Sequence, residues 1–129
     1  MTAARQPLIL LVEDDIAFRR SVSAYLEDSG FSVLEADDGI AALEVLRQHS
    51  PDIIISDLRM PRMSGLELLE VLKKNHAGAA PVIMISGTAD KVLLAETTEL
   101  GAAAYLTKPI ADLAALETVA RSLLPEWRP

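Results

Sequence analysis

Four short apolar runs in this chain end on side chains that could do chemistry together. Leu8-Ile9-Leu10-Leu11-Val12 stops on Glu13-Asp14-Asp15, and Ile53-Ile54-Ile55 runs through Ser56 to Asp57. Pro81-Val82-Ile83-Met84-Ile85 stops on Ser86, and the stretch from Ala102 to Thr107 stops on Lys108. If the first and third runs are neighbouring strands, Glu13, Asp14 and Asp57 converge, and their mutual repulsion must be relieved by protonation or by a bound cation. A divalent cation is the better remedy. The ligands would be all oxygen, without His or Cys and few in number, which suits Mg²⁺ with its retained waters. Lys108 adds fixed positive charge and the Ser86 hydroxyl can donate a hydrogen bond. A carboxylate so surrounded is equipped to attack phosphorus while its neighbours stabilise phosphoryl oxygens, so the chemistry is phosphoryl transfer onto Asp57.

These groups meet only if the runs are strands of one sheet. Three consecutive isoleucines are β-branched and apolar on both sides, as in a strand buried on both faces. Pro61 and Ser64-Gly65 force a loop, so Asp57 stands at the carboxyl end of an interior strand, the edge where open α/β sheets bind ligands. Leu8 to Val12 reads the same way, whereas Phe31 to Ala36 is more polar and lies nearer an edge. Between the strands, apolar residues recur at helical spacing. Phe18, Val22, Tyr25 and Leu26 share one face, with Gly30 as the stop. Asp37-Asp38-Gly39 then turns the chain into a helix running to about Gln48, with Ala42, Leu43 and Leu46 inward. Leu68, Leu69 and Leu72 mark a third helix from about Gly65 to Asn75, and Ala77 to Ala80 is the link to the next strand. Residues 90–100 form a fourth whose apolar face Thr97 and Thr98 weaken. Leu113, Leu116, Ala120 and Leu123 point inward from a last helix at about 112–124, before Pro125. Five strands alternating with five helices imply a parallel sheet with right-handed crossovers, wound on both faces.

The chain has 129 residues, half of them apolar, which suits one domain with a substantial core and leaves no room for a second. Cysteine is absent, which removes disulfides and thiolate metal sites and fits a reducing compartment. No apolar stretch has the length of a membrane span, and Met1 to Pro7 lacks the apolar segment of a signal peptide, so the expected location is the cytoplasm. A net charge of -7 repels phosphate backbones and argues against direct nucleic-acid binding. His49 and His76 lack ligand spacing and read as solvated, Trp127 as part of the terminus, and Arg19-Arg20 as the exposed face of the first helix.

With these residues in place, the chain resembles the receiver domains of bacterial two-component response regulators over essentially its whole length. The acidic pair after the first strand matches Glu13 and Asp14, and the phosphoacceptor of an Asp-x-x-Met-Pro segment matches Asp57. The Thr/Ser after the fourth strand matches Ser86, and the Lys-Pro after the fifth matches Lys108-Pro109. The resemblance implies one flavodoxin-like receiver domain over residues 1–129, strand order 2-1-3-4-5, serving as a phosphoacceptor signalling switch. Mg²⁺ would be held by Glu13, Asp14, Asp57 and the backbone carbonyl of Arg59. Ser86 and Lys108 would bind the phosphoryl oxygens, Ser86 and Tyr105 would form the switch, and the Lys108–Pro109 bond would often be cis. The Arg59 side chain and Thr88 are expected to modulate the site, Arg59 by lengthening phosphoryl lifetime. The implied partners are a histidine kinase or phosphotransfer protein upstream and a downstream protein or output domain. The latter would be reached through the face of the fourth helix, fifth strand and last helix. No membrane contact is expected, and the protein would be a monomer or a weak phosphorylation-dependent dimer. It would not be an enzyme, catalysing only its own phosphorylation and dephosphorylation. Two features depart from the pattern: the hydroxyl is Ser rather than the commoner Thr, and Asp15 extends the acidic run.

Other readings compete. Glu13 and Asp14 could cap the first helix, although Asp15 is placed for that role, and Tyr105 could simply pack as a half-buried strand residue. A small-molecule phosphatase or phosphotransferase of related fold would also use an aspartyl phosphate, but the chain leaves no room for a cap domain. A flavodoxin-type binding module would need a phosphate-cradling loop after the first strand, and none is there.

Overall fold

The computed structural model describes residues 6–75, 80–87, 91–108 and 113–124. Strands β1 (Leu8–Val12), β2 (Ser32–Ala36), β3 (Ile53–Asp57), β4 (Val82–Ser86) and β5 (Ala104–Thr107) alternate with five helices. The helices are α1 (Ile16–Asp28), α2 (Gly39–Gln48), α3 (Gly65–Asn75), α4 (Lys91–Glu99) and α5 (Leu113–Ser122). The sheet is parallel throughout, in the order β2-β1-β3-β4-β5.

The three interior strands are buried almost without interruption, and the edge strands β2 and β5 are only half-buried. Alternation along the strands divides the core in two. Ile9, Leu11, Ile53, Ile55, Ile83 and Ile85 face α1 and α5, meeting Val22, Leu26, Leu116 and Ala120. Leu10, Val12, Ile54, Val82 and Met84 face the other way, onto Ala42, Leu68, Leu69 and Leu72 of α2 and α3. A strand between two helical layers needs apolar residues on both its faces, which is why these runs lack polar alternation.

Helix ends follow local chemistry. Asp15 caps α1 by accepting from the Phe18 N–H, and Gly30 leaves that helix with φ 103°. Ser64 and Glu67 form a reciprocal capping box at the start of α3. Several boundaries shift from the sequence reading. Phe31 precedes β2 rather than opening it: its N–H closes the end of α1 by bonding to Leu26 O, and its ring fills the core. Pro81 has no N–H for the ladder, so β4 begins at Val82. The Ala102 N–H returns to Thr97 O and that of Ala103 is the first to reach β4, at Val82 O, so β5 starts later than Ala102, at Ala104. Thr97, expected to weaken α4, is fully buried, whereas Leu94 of the same helix is exposed. The expected linker at 77–79 lies outside the described residues.

Gly65 carries a packing constraint that bears on the site. A Cβ there would stand 2.2 Å from the Asp57 carbonyl oxygen and 2.9 Å from Met84 Sδ. The first is backbone at the end of a buried strand and cannot yield cheaply. We expect Gly65→Ala to destabilise the protein by about 1–3 kcal/mol in urea denaturation, the range for overpacking. A loss below about 0.5 kcal/mol, the scale of neutral surface changes, would show that α3 starts with room to move.

Candidate functional site

Because Val12 pairs with Ser56 across the β1/β3 ladder, the next residues, Glu13 and Asp57, leave the sheet side by side. One carboxylate oxygen from each of Glu13, Asp14 and Asp57 lies within 4.8 Å of the others. Glu13 is 1% exposed and Asp57 7%, while Asp14 faces solvent. Lys108, at the end of β5, brings its Nζ to 2.7 Å from Glu13 Oε1 and 3.5 Å from Asp57 Oδ2. The ammonium also stands 4.5 Å from the centroid of the Phe18 ring, within cation–π range.

The two oxygens of Glu13 are served differently. Oε2 accepts from the Asp15 N–H at 3.0 Å. Oε1 is buried and has the Lys108 ammonium beside it at 2.7 Å. An anionic oxygen with charge compensation and spare acceptor capacity is what a metal ligand requires. The donor set, three carboxylates and no softer atom, fits a hard divalent ion such as Mg²⁺.

Burial pushes the Glu13 carboxyl up to about 6, helped by the Asp57 charge and opposed by Lys108 and the Asp15 N–H. Burial likewise raises Asp57, with Lys108 working against it and Asp14 with it. For Lys108 burial pulls the pKa down, but hydrogen bonding to Glu13 and the charges of Asp57 and Glu13 outweigh it, and the amine ends above its usual value.

Glu13, Asp14, Asp57 and Lys108 thus meet as the spacing predicts. Ser86 is fully buried at the end of β4, and its carbonyl accepts from the Lys108 N–H at 2.7 Å, joining the two strand ends. Tyr105 lies apart, opposite Met84 on the α2/α3 side, half-buried against that part of the core. Arg59 is exposed in the loop after β3. Thr88, Pro109, His76 and Trp127 fall outside the described residues. Arg19 corrects an expectation: it does not merely lie on an exposed helix face. Its Nη1 donates to Glu13 O at 2.8 Å and its Nε to Glu35 at 2.7 Å, so it braces the β1–α1 turn against β2. Phe18 beneath Lys108, and Asp38 and Arg62, which fasten the loop after β3, take roles that the sequence alone does not give them. Each is a contact between distant segments that no local spacing announces.

Comparison with known proteins agrees with this geometry. The family model described as "Response regulator receiver domain" matches residues 9–120. The chain is 40% identical over 112 residues to the Regulator of RpoS of Escherichia coli (strain K12), covering 84% of this chain and 33% of that protein. It is 36% identical over 104 residues to the transcriptional regulatory protein FixJ of Bradyrhizobium diazoefficiens, covering 81% of this chain and 50% of the relative. The chain therefore spans a third to a half of the length of these relatives. Among solved structures, it is similar to the chemotaxis response regulator CheY4 of Vibrio cholerae, with TM-score 0.85 and 30% identity over 93% of this chain and all of that one. A receiver protein from Pseudomonas putida matches with TM-score 0.86 and 30% identity over 93% of this chain and 99% of that one. The chain belongs to the response regulator receiver domain family, the phosphoacceptor switches of two-component systems.

A carboxyl raised in the folded state binds its proton more tightly there than in the unfolded chain. Stability is therefore gained as pH falls through about 6 towards the unfolded value of 4.5, and is lost as pH rises through the same window. In EDTA, the protein should be more stable near pH 5 than near pH 7.5 by about 1 kcal/mol. Glu13→Gln should remove most of that difference and stabilise the protein at the higher pH. Urea denaturation at the two pH values checks this, and a pH dependence unchanged in the variant contradicts it.

Proposed function

We propose that Asp57 accepts a phosphoryl group from the phosphohistidine of a kinase or phosphotransfer protein, with Mg²⁺ as cofactor. The observation that carries this reading is the setting of Asp57. It is a nearly buried carboxylate at a strand end, with two further carboxylates within 4.8 Å and an ammonium at 3.5 Å.

Glu13, Asp14, Asp57 and the Arg59 carbonyl would hold the metal. When bound, Mg²⁺ offsets charge on the carboxylates and phosphoryl oxygens. The rest falls to the chain. An Asp57 oxygen attacks phosphorus, the P–N bond to histidine breaks, and an acyl phosphate forms on Asp57 as the imidazole leaves. Lys108 supplies positive charge where the transferred oxygens gather, and the Ser86 hydroxyl can donate to one of them. Ser86 and Lys108 belong to adjoining strand ends, so a change at the phosphoryl group reaches β4 and β5, where Tyr105 lies. The face of α4, β5 and α5 would carry the signal to a downstream protein or output domain. On this reading the protein is not an enzyme acting on free metabolites, since its only substrate group is its own aspartate.

Intact-mass measurement after incubation with a small phosphodonor and Mg²⁺ should show one added phosphoryl that Asp57→Asn abolishes. Labelling of that variant to the wild-type level would overturn the assignment. Turnover of a panel of phosphorylated metabolites would instead favour a phosphatase.

Arg59 sits two residues past the phosphoacceptor and is exposed. A long cation there crowds the in-line water that hydrolysis needs, or pairs with phosphoryl oxygens, and both lengthen the phosphoryl lifetime. Arg59→Asn and Arg59→Glu should speed phosphate loss roughly three- to tenfold, a barrier change of at most about 1.4 kcal/mol. Following phosphoprotein mass over time checks this. Decay equal to wild type in both variants would show that the side chain serves only solvent.

A further inference from the structure

The loop between β3 and α3 is fastened from outside the site. Arg62 has φ 66°, and among the described residues it alone takes a left-handed conformation without being glycine. Such a conformation persists where its surroundings over-determine it. Here its Nε donates to Asp38 Oδ2 at 2.5 Å. The Asp38 side chain is 5% exposed although that of Arg62 is 60% exposed. Arg62 and the Ala41 N–H hold the Asp38 carboxyl below its usual range, so the pair stays ionic near neutral pH. The same carboxylate caps α2 by accepting from the Ala41 N–H at 2.8 Å.

Next to this pair the Gly39 N–H donates to Met63 O at 3.1 Å. The Met63 side chain fills the place where a Cβ on Gly39 would stand, 2.5 Å from its Cγ. At the loop's other end the Gly65 N–H donates to Leu58 O at 2.9 Å. The segment from Leu58 to Gly65 is thus closed on itself and moored to the start of α2, and Arg59 lies inside it.

We propose that Asp38 and Arg62 are a positioning pair for metal binding: by mooring the loop to α2 they fix in advance the shape of the segment that offers the Arg59 carbonyl. This rests on the reading of Asp57 and Arg59 as members of a Mg²⁺ site. Neither positioning residue touches the ion. Ordering the loop once, on folding, leaves less to be ordered when the ion binds.

Two variants separate the ion pair from the turn. Asp38→Asn keeps an N-cap acceptor of the same size and removes the charge. Arg62→Gly keeps a residue that accepts positive φ and removes the guanidinium. Mg²⁺ is titrated by calorimetry into the full 129-residue chain and followed by phosphorylation with a small phosphodonor across Mg²⁺ concentrations. Each variant should bind Mg²⁺ roughly three- to tenfold more weakly, at or below the low end of the range for direct outer-shell partners. The double variant should be no weaker than the worse single one, and Arg62→Lys should restore part of the loss. At saturating Mg²⁺ the phosphorylation rate should return close to wild type. Without metal, the Gly39 amide should exchange faster in Arg62→Gly. Affinities within about twofold of a Mg²⁺-binding wild type would overturn the positioning role and leave the function intact. Equal losses in Arg62→Lys and Arg62→Gly, with both less stable to urea, would mark a merely structural role and overturn it too. A wild type without Mg²⁺ affinity would overturn both readings.

Discussion

The repulsion among Glu13, Asp14 and Asp57 is the constraint on which the rest of the structure depends. At an effective dielectric of about 20, two unit charges near 5 Å repel by about 3 kcal/mol, a large fraction of a domain's net stability. The protein does not relax this by spreading the carboxylates apart, because two of them are fixed to adjacent strands of a ladder whose register is set by buried isoleucines. It offsets the repulsion with Lys108 and the Asp15 N–H, and burial leaves the remainder visible as raised proton affinities of Glu13 and Asp57. A site so loaded gains from any positive charge that enters it, which on the proposed reading is the thermodynamic basis for a switch that responds to Mg²⁺.

The position of Asp57 within this cluster is closely fixed. The main chain of Asp57 is held from three directions. Its carbonyl accepts from Ser56 Oγ at 2.9 Å, the Cα of Gly65 packs against that carbonyl, and the next N–H, of Leu58, bonds to Ile85 O at 2.7 Å. The side chain alone is left to look into the crevice. Parallel pairing makes this possible: all five strands run the same way, so their carboxyl ends, and the groups they carry, share one edge.

That edge was legible in the sequence because strand-end chemistry is local. An apolar run followed by a carboxylate, a hydroxyl or an amine can be read without knowing what lies beside it, and the five strands and the meeting of Glu13, Asp14, Asp57 and Lys108 came through, whereas the strand order rested on the resemblance to receiver domains. What was not legible is pairing between segments far apart in the chain. Arg19 looks like half of an exposed Arg-Arg pair until β2 is seen to present Glu35 to it. Asp38 looks like a turn residue until the loop after β3 folds across and presents Arg62. Thr97 counts against an apolar face by polarity, yet it is fully buried, and its carbonyl accepts from the Ala102 N–H where the chain turns towards β5. The strand starts were misplaced for a related reason: the first residues of β4 and β5 are decided by which N–H groups are missing or already engaged.

The supports also differ between the two faces of the sheet, and this bears on where a change at the site can travel. On the α1/α5 face, Glu117 accepts from Tyr25 OH at 3.0 Å and from Arg121 Nε at 2.9 Å, while Arg121 Nη2 donates to Ser29 O at 2.6 Å and its guanidinium lies 4.7 Å from the centroid of Phe31. These contacts bind the end of α1 to α5 through charge-assisted hydrogen bonds that a small shift would break together. On the other face α4 spans nine residues, has Leu94 exposed, and meets the end of α3 through Lys73 Nζ donating to Glu99 O at 3.2 Å, an exposed contact of low cost. If the joined ends of β4 and β5 shift as proposed, the shift meets a cross-linked pair of helices on one side and the nine-residue α4 on the other. On the proposed reading the change would run through β5 and Tyr105 towards α4, because the charge-assisted network between α1 and α5 resists displacement on the other side.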